Sequence, residues 1–503
     1  MAFALAALAI FVFAVLPFIA LALDAPNAHG FALLGSSRLW TLFALTVGRA
    51  IAIALIAVAF GIPLGFLLAR TDVGGRRIAL FVHAFPMFLP PFLLALGWFH
   101  VFGREGFAGS ARSAALLFGT PGLVVVLVLA LTPIITVMTV LALEGIDPSL
   151  EDAGRVAASR WRVATRILIP IAWPSAALGA IVVFALAVAD LGVPMFLRVD
   201  AYPAAVFARL GGIDYAPGEA LALVVPLLAV ALAVLAVERA IIGRRPFSVL
   251  GVRRSHDRFA LGRWRMAATV TVWLVVGLGV LPIIALVCRA SGGFAIAGDW
   301  IGDSVRNSVI DGIAGATAIT LLGLVIGHAV ARRRRGASAL DAIAVLAFVT
   351  PSAVIGVGLV AVWNRSSTSA IYGTSAIIVV GDIARYAVIA IRPIAAAIGQ
   401  ASPHFEEAAA ASGAGFVRRM IAIVAPIHRR AIGGAWLLAF VFCLRDETAI
   451  LYYPPGRETL PVRIFTLEAN GPEPVVAALA VLQIALTALI VSAGAFLVRR
   501  SRT

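Results

Sequence analysis

The amino-acid sequence predicts an all-α polytopic membrane protein, about twelve transmembrane helices in two parallel six-helix repeats. Three observations carry that expectation. Hydrophobic residues make up 62% of the 503 and charged residues only 13%, whereas soluble domains carry about a quarter charged residues. Apolar runs of about 20 residues, each long enough to span a hydrocarbon core about 30 Å thick, recur along the whole chain. A polar loop of one pattern also occurs at the same depth of both halves. It begins at Glu151 in the first and Glu407 in the second, and ends at Pro170 and Pro426, with the same separation from glutamate to proline.

The spans read, in order, as roughly 3–23, 42–69, 78–102, 118–143, 167–188, 218–240, 266–288, 308–331, 338–363, 373–396, 427–446 and 475–498. The first ends in Ala20-Leu21-Ala22, which resembles a signal-peptide cleavage site. A basic n-region is missing and the apolar stretch is longer than a typical h-region, so it is expected to stay as a span. Pro63, Pro86, Pro90, Pro91, Pro133, Pro226, Pro282 and Pro351 fall inside spans. Membrane helices tolerate proline because neighbouring groups re-satisfy the freed carbonyls.

The net charge is +15, yet the chain contains no lysine; all forty basic residues are arginine, most at the ends of apolar runs. That is the positive-inside pattern, not a nucleic-acid footprint. With a cytoplasmic N-terminus, 27 arginines fall on inside segments and span ends and 11 on outside ones. Both termini are then cytoplasmic. Residues 241–264 are basic and poor in long apolar runs. They read as a cytoplasmic linker held near anionic lipid. It joins a first six-span half, 1–240 (core about 42–240), to a second, 265–503 (core about 306–498). Six is an even number, so both halves enter the membrane in the same direction and are related by an axis along its normal.

Other positions repeat as well. Asp190 and Asp446 share the offset of Glu151 and Glu407. Pro86 and Trp98 are as far apart as Pro351 and Trp363, and residues 70–77 correspond loosely to 332–336. Each repeated loop opens with an alanine-rich, helix-favouring stretch, 151–158 or 406–411. Gly413 then permits a sharp reversal, and Pro170 or Pro426 fixes entry into the next span. A short helix with a carboxylate near its N-terminus, where the helix dipole favours it, is the expected product. Such a helix offers a rigid knob to a partner chain.

At these residues the sequence resembles the permease subunits of bacterial ATP-binding-cassette importers. Their signature is Glu-Ala-Ala, three residues, Gly, nine residues, Ile-x-Leu-Pro. The second copy matches at Glu407, Ala408, Ala409, Gly413, Ile423 and Pro426, with Ala425 for Leu. The first matches at Glu151, Ala153, Ile167 and Pro170, with Asp152 for Ala, Ala157 for Gly and Ile169 for Leu. The double length is similar to the ferric iron permeases, with thiamine and phosphonate permeases as relatives. Residues 69–72, 189–194 and 454–461 point the same way. The resemblance implies a multi-pass protein of the bacterial inner membrane that forms a translocation pathway. It implies two copies of an ATP-binding subunit docked on the loops and an external solute-binding protein as partners. No cofactor is expected in this chain, since ATP would bind the partner subunit.

The chain itself offers no catalytic machinery. A phosphate-binding P-loop ends in Gly-Lys-Ser/Thr, which a chain without lysine cannot contain. The seven histidines are scattered without metal-ligand spacing, and Cys288 and Cys443 lie far apart. Charges inside spans are costly and are expected to be paired or to face water. Arg49, Asp311, Asp382 and Arg385 qualify, and Asp382 and Arg385, three apart on one helix face, are expected to pair with each other. With Asp190, Asp446 and Glu447 near outer span ends, Asp382 and Arg385 are candidates for a gate or pathway. A twelve-span secondary transporter is the alternative reading. It would need coupling-ion residues in its spans and has no use for two matched loops.

Overall fold

The computed structural model describes residues 2–24, 29–211, 217–242 and 258–500. The basic linker, apart from 241–242 and 258–264, lies outside them. Helix dominates throughout, with an isolated β-bridge between Thr71 and Phe259. Eight helices are long and apolar enough to cross a membrane, and four bent helix pairs bring the number to twelve if each is one span. These twelve overlap the twelve apolar segments read from the sequence.

The bends are where structure departs from expectation. Pro63, Pro133, Pro226 and Pro282 sit inside continuous helices. The third span of each half is instead broken. Arg76–Phe88 meets Pro91–Phe102 at 105°, and Ala337–Val349 meets Ser352–Trp363 at 109°. Each first piece follows a glycine of positive φ (Gly75, 70°; Gly336, 81°), and each second piece follows a proline N-cap, Pro90 or Pro351. Both second pieces are 12 residues long. The counterpart of Pro351 is therefore Pro90, not Pro86, and that of Trp363 is Phe102, not Trp98.

By packing, the chain forms two compact units that differ from the sequence halves. One contains Ser37–Ala204 and Leu232–Ser291; the other contains Met1–Ser36, Ala205–Ala231 and Gly292–Thr503. In the first unit the helix Ser37–Arg70 packs on Thr120–Glu144 and Ile169–Ala189. Gly61 and Gly65 let the backbones approach: a Cβ on Gly65 would lie 2.7 Å from Thr139 Cβ. This is the small-xxx-small solution of membrane helices, which lack a hydrophobic drive toward each other. The helix Arg265–Arg289 joins this unit, with Trp273 Nε1 donating to Gly74 O and Thr269 Oγ1 accepting from Gly74 N, both at 3.1 Å.

The second unit repeats the arrangement. Ser304–Ala331 packs on Ala376–Gly399 and Arg429–Leu444, and Gly323 and Gly327 provide the close approach. The chain's first helical segments, Ala2–Ile10 to Leu16–Asp24, join this unit, with Pro17 against Gly358 and the Phe13 ring 6.2 Å from that of Trp363. Each unit thus takes in the first helix belonging, by sequence, to the other half.

Candidate functional site

In each unit a short helix stands between the fourth and fifth spans. The first, Pro148–Ala157, has the Asp147 side chain accepting from Ser149 N at its N-cap. The second, His404–Ala411, starts after Pro403 with Glu406 and Glu407 in its first turn. Acidic groups here meet the positive end of the helix dipole. Ala157 is the last helical residue of the first, followed by an extended Ala158. In the second, Gly413 has φ 80°, the left-handed turn anticipated from the sequence. Nothing lies within 4 Å of a Cβ placed there, so its need for glycine is conformational.

The carboxylates divide into two kinds. Glu151 is buried: Arg70 Nη1 donates to Oε2 at 2.9 Å and Arg155 Nη2 to Oε1 at 2.6 Å. Arg70 Nη2 also donates to Leu143 O at 2.5 Å, where the preceding span ends. In the second unit the same arrangement centres on Glu406. Arg332 Nη2 donates to Oε1 and His328 Nε2 shares a hydrogen bond with Oε2, each at 2.6 Å. Arg332 Nη1 reaches Ala401 O at 3.2 Å. Partial burial opposes the Glu406 charge, but the hydrogen bonds from His328 and Arg332 outweigh it and hold this carboxyl below the usual glutamate range. Glu407 points outward, its side chain two-thirds exposed, with His404 Nδ1 3.3 Å from Oε2. Asp152 and Ala153 are exposed in the same way, as are Ala408 and Gly413. Chemically, then, Glu151 corresponds to Glu406, and Asp152 to Glu407.

Sequence reasoning missed the exposed apolar residues beside these acids. Leu150, Val156 and Trp161 are exposed in the first loop, Val156 by 91%. Phe405, Val417 and Ile421 are exposed in the second. The signal was present for Leu150, Trp161, Phe405 and Val417, which stand beside charged or polar residues, but not for Ile421, which lies in the apolar run 420–425. Exposed apolar groups rimmed by charge mark an interaction surface.

The motif's last residues act locally. Ile167 lies against Gly154, whose Cβ would meet Ile167 Cδ1 at 2.7 Å. A five-residue π-helical turn precedes each motif proline, Ala164–Leu168 and Met420–Val424, and includes the half-buried Ile167 and Ile423. Pro170 and Pro426 cannot donate to the carbonyls four residues back, and the π turns fall at those carbonyls. Beyond them the first copy runs on in one span, Trp161–Ala189, while the second bends by 87° between Ile427 and Arg429.

The in-span charges assemble differently from expectation. Arg385 pairs with Asp446, Nη1 to Oδ1 at 2.6 Å, and not with Asp382. Asp382 is buried with its side chain against Gly315 and Cys443, and its Oδ1 has no hydrogen-bond partner among the described residues. Asp446 also caps the following turn, accepting from Thr448 N at 3.0 Å, and Glu447 is buried next to it. Asp190 Oδ1 accepts from Val193 N at 2.9 Å. Both aspartates therefore cap short turns at span ends. Arg49 donates to Asp200 O at 2.7 Å. Cys288 is exposed, Cys443 is buried, and both are free thiols.

Comparison with known proteins adds the family. Residues 61–240 match the inner membrane component of binding-protein-dependent transport systems. A putative ferric transport system permease protein of Haemophilus influenzae is 25% identical over 441 residues, covering 80% of this chain and 68% of that protein. A ferric transport system permease protein of Actinobacillus pleuropneumoniae is 25% identical over 440 residues, 80% of this chain and 62% of that protein. The molybdenum transport system permease protein of Escherichia coli K12 is 31% identical over 143 residues, 27% of this chain and 62% of that protein. Coverage of 80% necessarily takes in both halves. The match to that inner membrane component thus covers residues 61–240, and the similarity to the ferric transport permeases extends through both halves.

Proposed function

We propose that this chain is the permease that forms the translocation pathway of an ATP-driven importer for ferric iron in the bacterial inner membrane. The observation that carries the reading is the pair of short helices presenting an outward acid, Asp152 or Glu407, among exposed apolar residues. Each is a docking surface for one copy of an ATP-binding subunit, which hydrolyses ATP. An external solute-binding protein delivers the cargo. ATP draws the two ATPase subunits together, each carries its loop helix, and the pathway exchanges inward for outward access. Only contacts that differ between the two states drive such a change. Asp382, Arg385, Asp446 and Glu447, buried together in one unit, together with Asp190 in the other, are candidates for the pathway or its gate. Both termini are cytoplasmic in this reading, so a cysteine at the exposed Ser402 reacts with an impermeant reagent only from the cytoplasmic side.

The assignment of ferric iron rests on relatives that match over most of the chain, whereas the molybdenum permeases match only a shorter segment. The test is uptake in proteoliposomes holding permease, ATP-binding subunits and the cognate solute-binding protein. Radiolabelled ferric iron, molybdate and thiamine are offered in separate arms. ATP-dependent accumulation of ferric iron alone is expected. Accumulation of either other solute in its place sinks the substrate assignment. Uptake unchanged without the ATP-binding subunits sinks the importer reading in favour of a secondary transporter.

A further inference from the structure

We propose that Arg70 and Arg332 are positioning residues, each a rigid tie that makes a docking helix and a long membrane helix move as one body. The inference rests on the docking function given above for the loops.

Each arginine stands at the cytoplasmic end of the small-xxx-small helix of its unit. Arg70 is the last residue of Ser37–Arg70, and Arg332 directly follows Ser304–Ala331. Each reaches three segments at once. Its backbone belongs to the long helix, and one guanidinium nitrogen binds a carbonyl at or just past the end of the neighbouring span, Leu143 O or Ala401 O. Another nitrogen binds the inward glutamate of the docking helix, Glu151 or Glu406. The glutamates lie 81 and 74 residues from their arginines, so no local propensity explains the pairing. A guanidinium suits the task because its planar fork fixes the direction of several hydrogen bonds together, and charge assistance shortens them. The side chains of the first tie are 3% and 2% exposed, and those of the second 22% and 12%. Water therefore has little access to replace them. The outward acids remain free to meet a partner, while the inward ones face the spans. A push on the docking helix then reaches the long helix through charged hydrogen bonds instead of dissipating in a flexible loop.

A merely structural salt bridge would lower thermal stability and leave coupling intact in molecules that remain folded. The distinguishing readout is the stimulation of ATP hydrolysis by cargo-loaded solute-binding protein. It is measured on the reconstituted complex for Arg332→Gln, Glu406→Gln, the double variant and Arg332→Lys. We expect the ATP-binding subunits to stay associated and basal hydrolysis to persist. Stimulation should fall about tenfold in each single glutamine variant, within the usual range of coupling free energies. The double variant should fall no further, because both changes sever one tie. Arg332→Lys should retain part of the stimulation. Full stimulation in either glutamine variant would overturn the tie. Loss of the ATP-binding subunits from the complex would instead show that Glu406 or Arg332 is itself part of the docking surface, and would likewise overturn it.

If the single variants do not fold into the membrane, the unsubstituted tie can be tested. Spin labels at the exposed positions of Arg335→Cys and Ser412→Cys, in a Cys288→Ser background, report the separation of long and docking helices. The tie requires that separation to be the same with and without ATP. A change of about one helical turn, about 5 Å, would overturn it.

Discussion

The two loops with short helices share one local arrangement built from different chemistry. In the first, Glu151 is held between two arginines, the helix ends without a left-handed residue, and the chain runs on into a single span. In the second, Glu406 is held by one arginine and one histidine, Gly413 reverses the chain, and the span bends by 87°. What is common to both is an inward acid on an arginine and an outward acid beside exposed apolar groups. Motif spelling aligns Glu151 with Glu407, but their partners align Glu151 with Glu406. The first helix runs one residue further past its inward acid and its connection is two residues shorter, which leaves a net slip of one. Two residues separate Ala157 from Arg160, whereas four separate Ala411 from Phe416. A repeat is therefore better matched by what each side chain binds than by counting from a motif proline.

The largest difference between the loops is expected from removing the arginine. Arg70→Ala leaves a buried Glu151 with Arg155 alone, and breaking such a pair costs about 3–5 kcal/mol. Arg332→Ala removes a more exposed tie and is expected to cost less, about 1–3 kcal/mol. Thermal melting of the two variants in detergent decides this, and equal losses would show that the two sites are energetically alike. Next comes the turn. Gly413→Val places a β-branched residue at φ 80°, a conformation costing an ordinary L-residue about 1–2 kcal/mol. It is expected to misplace the second docking helix and abolish uptake without preventing membrane insertion. Ala157→Gly, at the end of a helix that needs no such turn, is expected to keep uptake and ATPase association. Loss of uptake in the second variant alone would reverse the comparison.

A pH effect should separate the loops further. The Glu406 carboxyl is held below its ordinary value of 4.5. Its stabilisation is therefore fully present above that pH and is lost as pH falls through the lower folded-state value. The melting difference between the unsubstituted protein and Glu406→Gln should be constant above about pH 4.5 and shrink below it. A difference that grows on acidification would have the wrong sign for this site. The smallest stability effect belongs to Glu407→Arg. As an exposed surface change it should shift stability by no more than about 0.5 kcal/mol, yet abolish uptake by reversing charge on the docking face. Wild-type uptake and ATPase association in this variant would make that face a plain connector.

The sequence carried the membrane class, the twelve apolar segments and the two short loop helices, because composition and hydropathy are local properties. It did not carry the breaks. Pro133 stays within a helix while Pro351 caps the second piece of a broken span, and nothing in the immediate sequence separates the two cases. Arg385 has an acid three residues before it, but its partner is Asp446, 61 residues away. In-span pairing is decided by which helices pack, and a helical wheel contains no such information. The small-xxx-small pairs Gly61/Gly65 and Gly323/Gly327 were readable in principle, since they stand at matching places in the two long helices.

The exchange of first helices has a consequence for synthesis. Residues 2–24 pack with a unit most of whose remaining helices come from residues 292 onward. At about 5–20 residues per second, their partners near residue 350 emerge on the order of 15 to 70 s later. During that interval the first span has only lipid for company. Its composition suits the wait, for its mean hydropathy is 2.7 and only 22% of its most apolar window becomes buried in the finished fold. A ribosome that stalls in the first half would release a chain with an unpartnered leading span and a core lacking its own Gly262–Gly292 helix. Quality-control proteases of the membrane would meet that species, not a finished half-transporter.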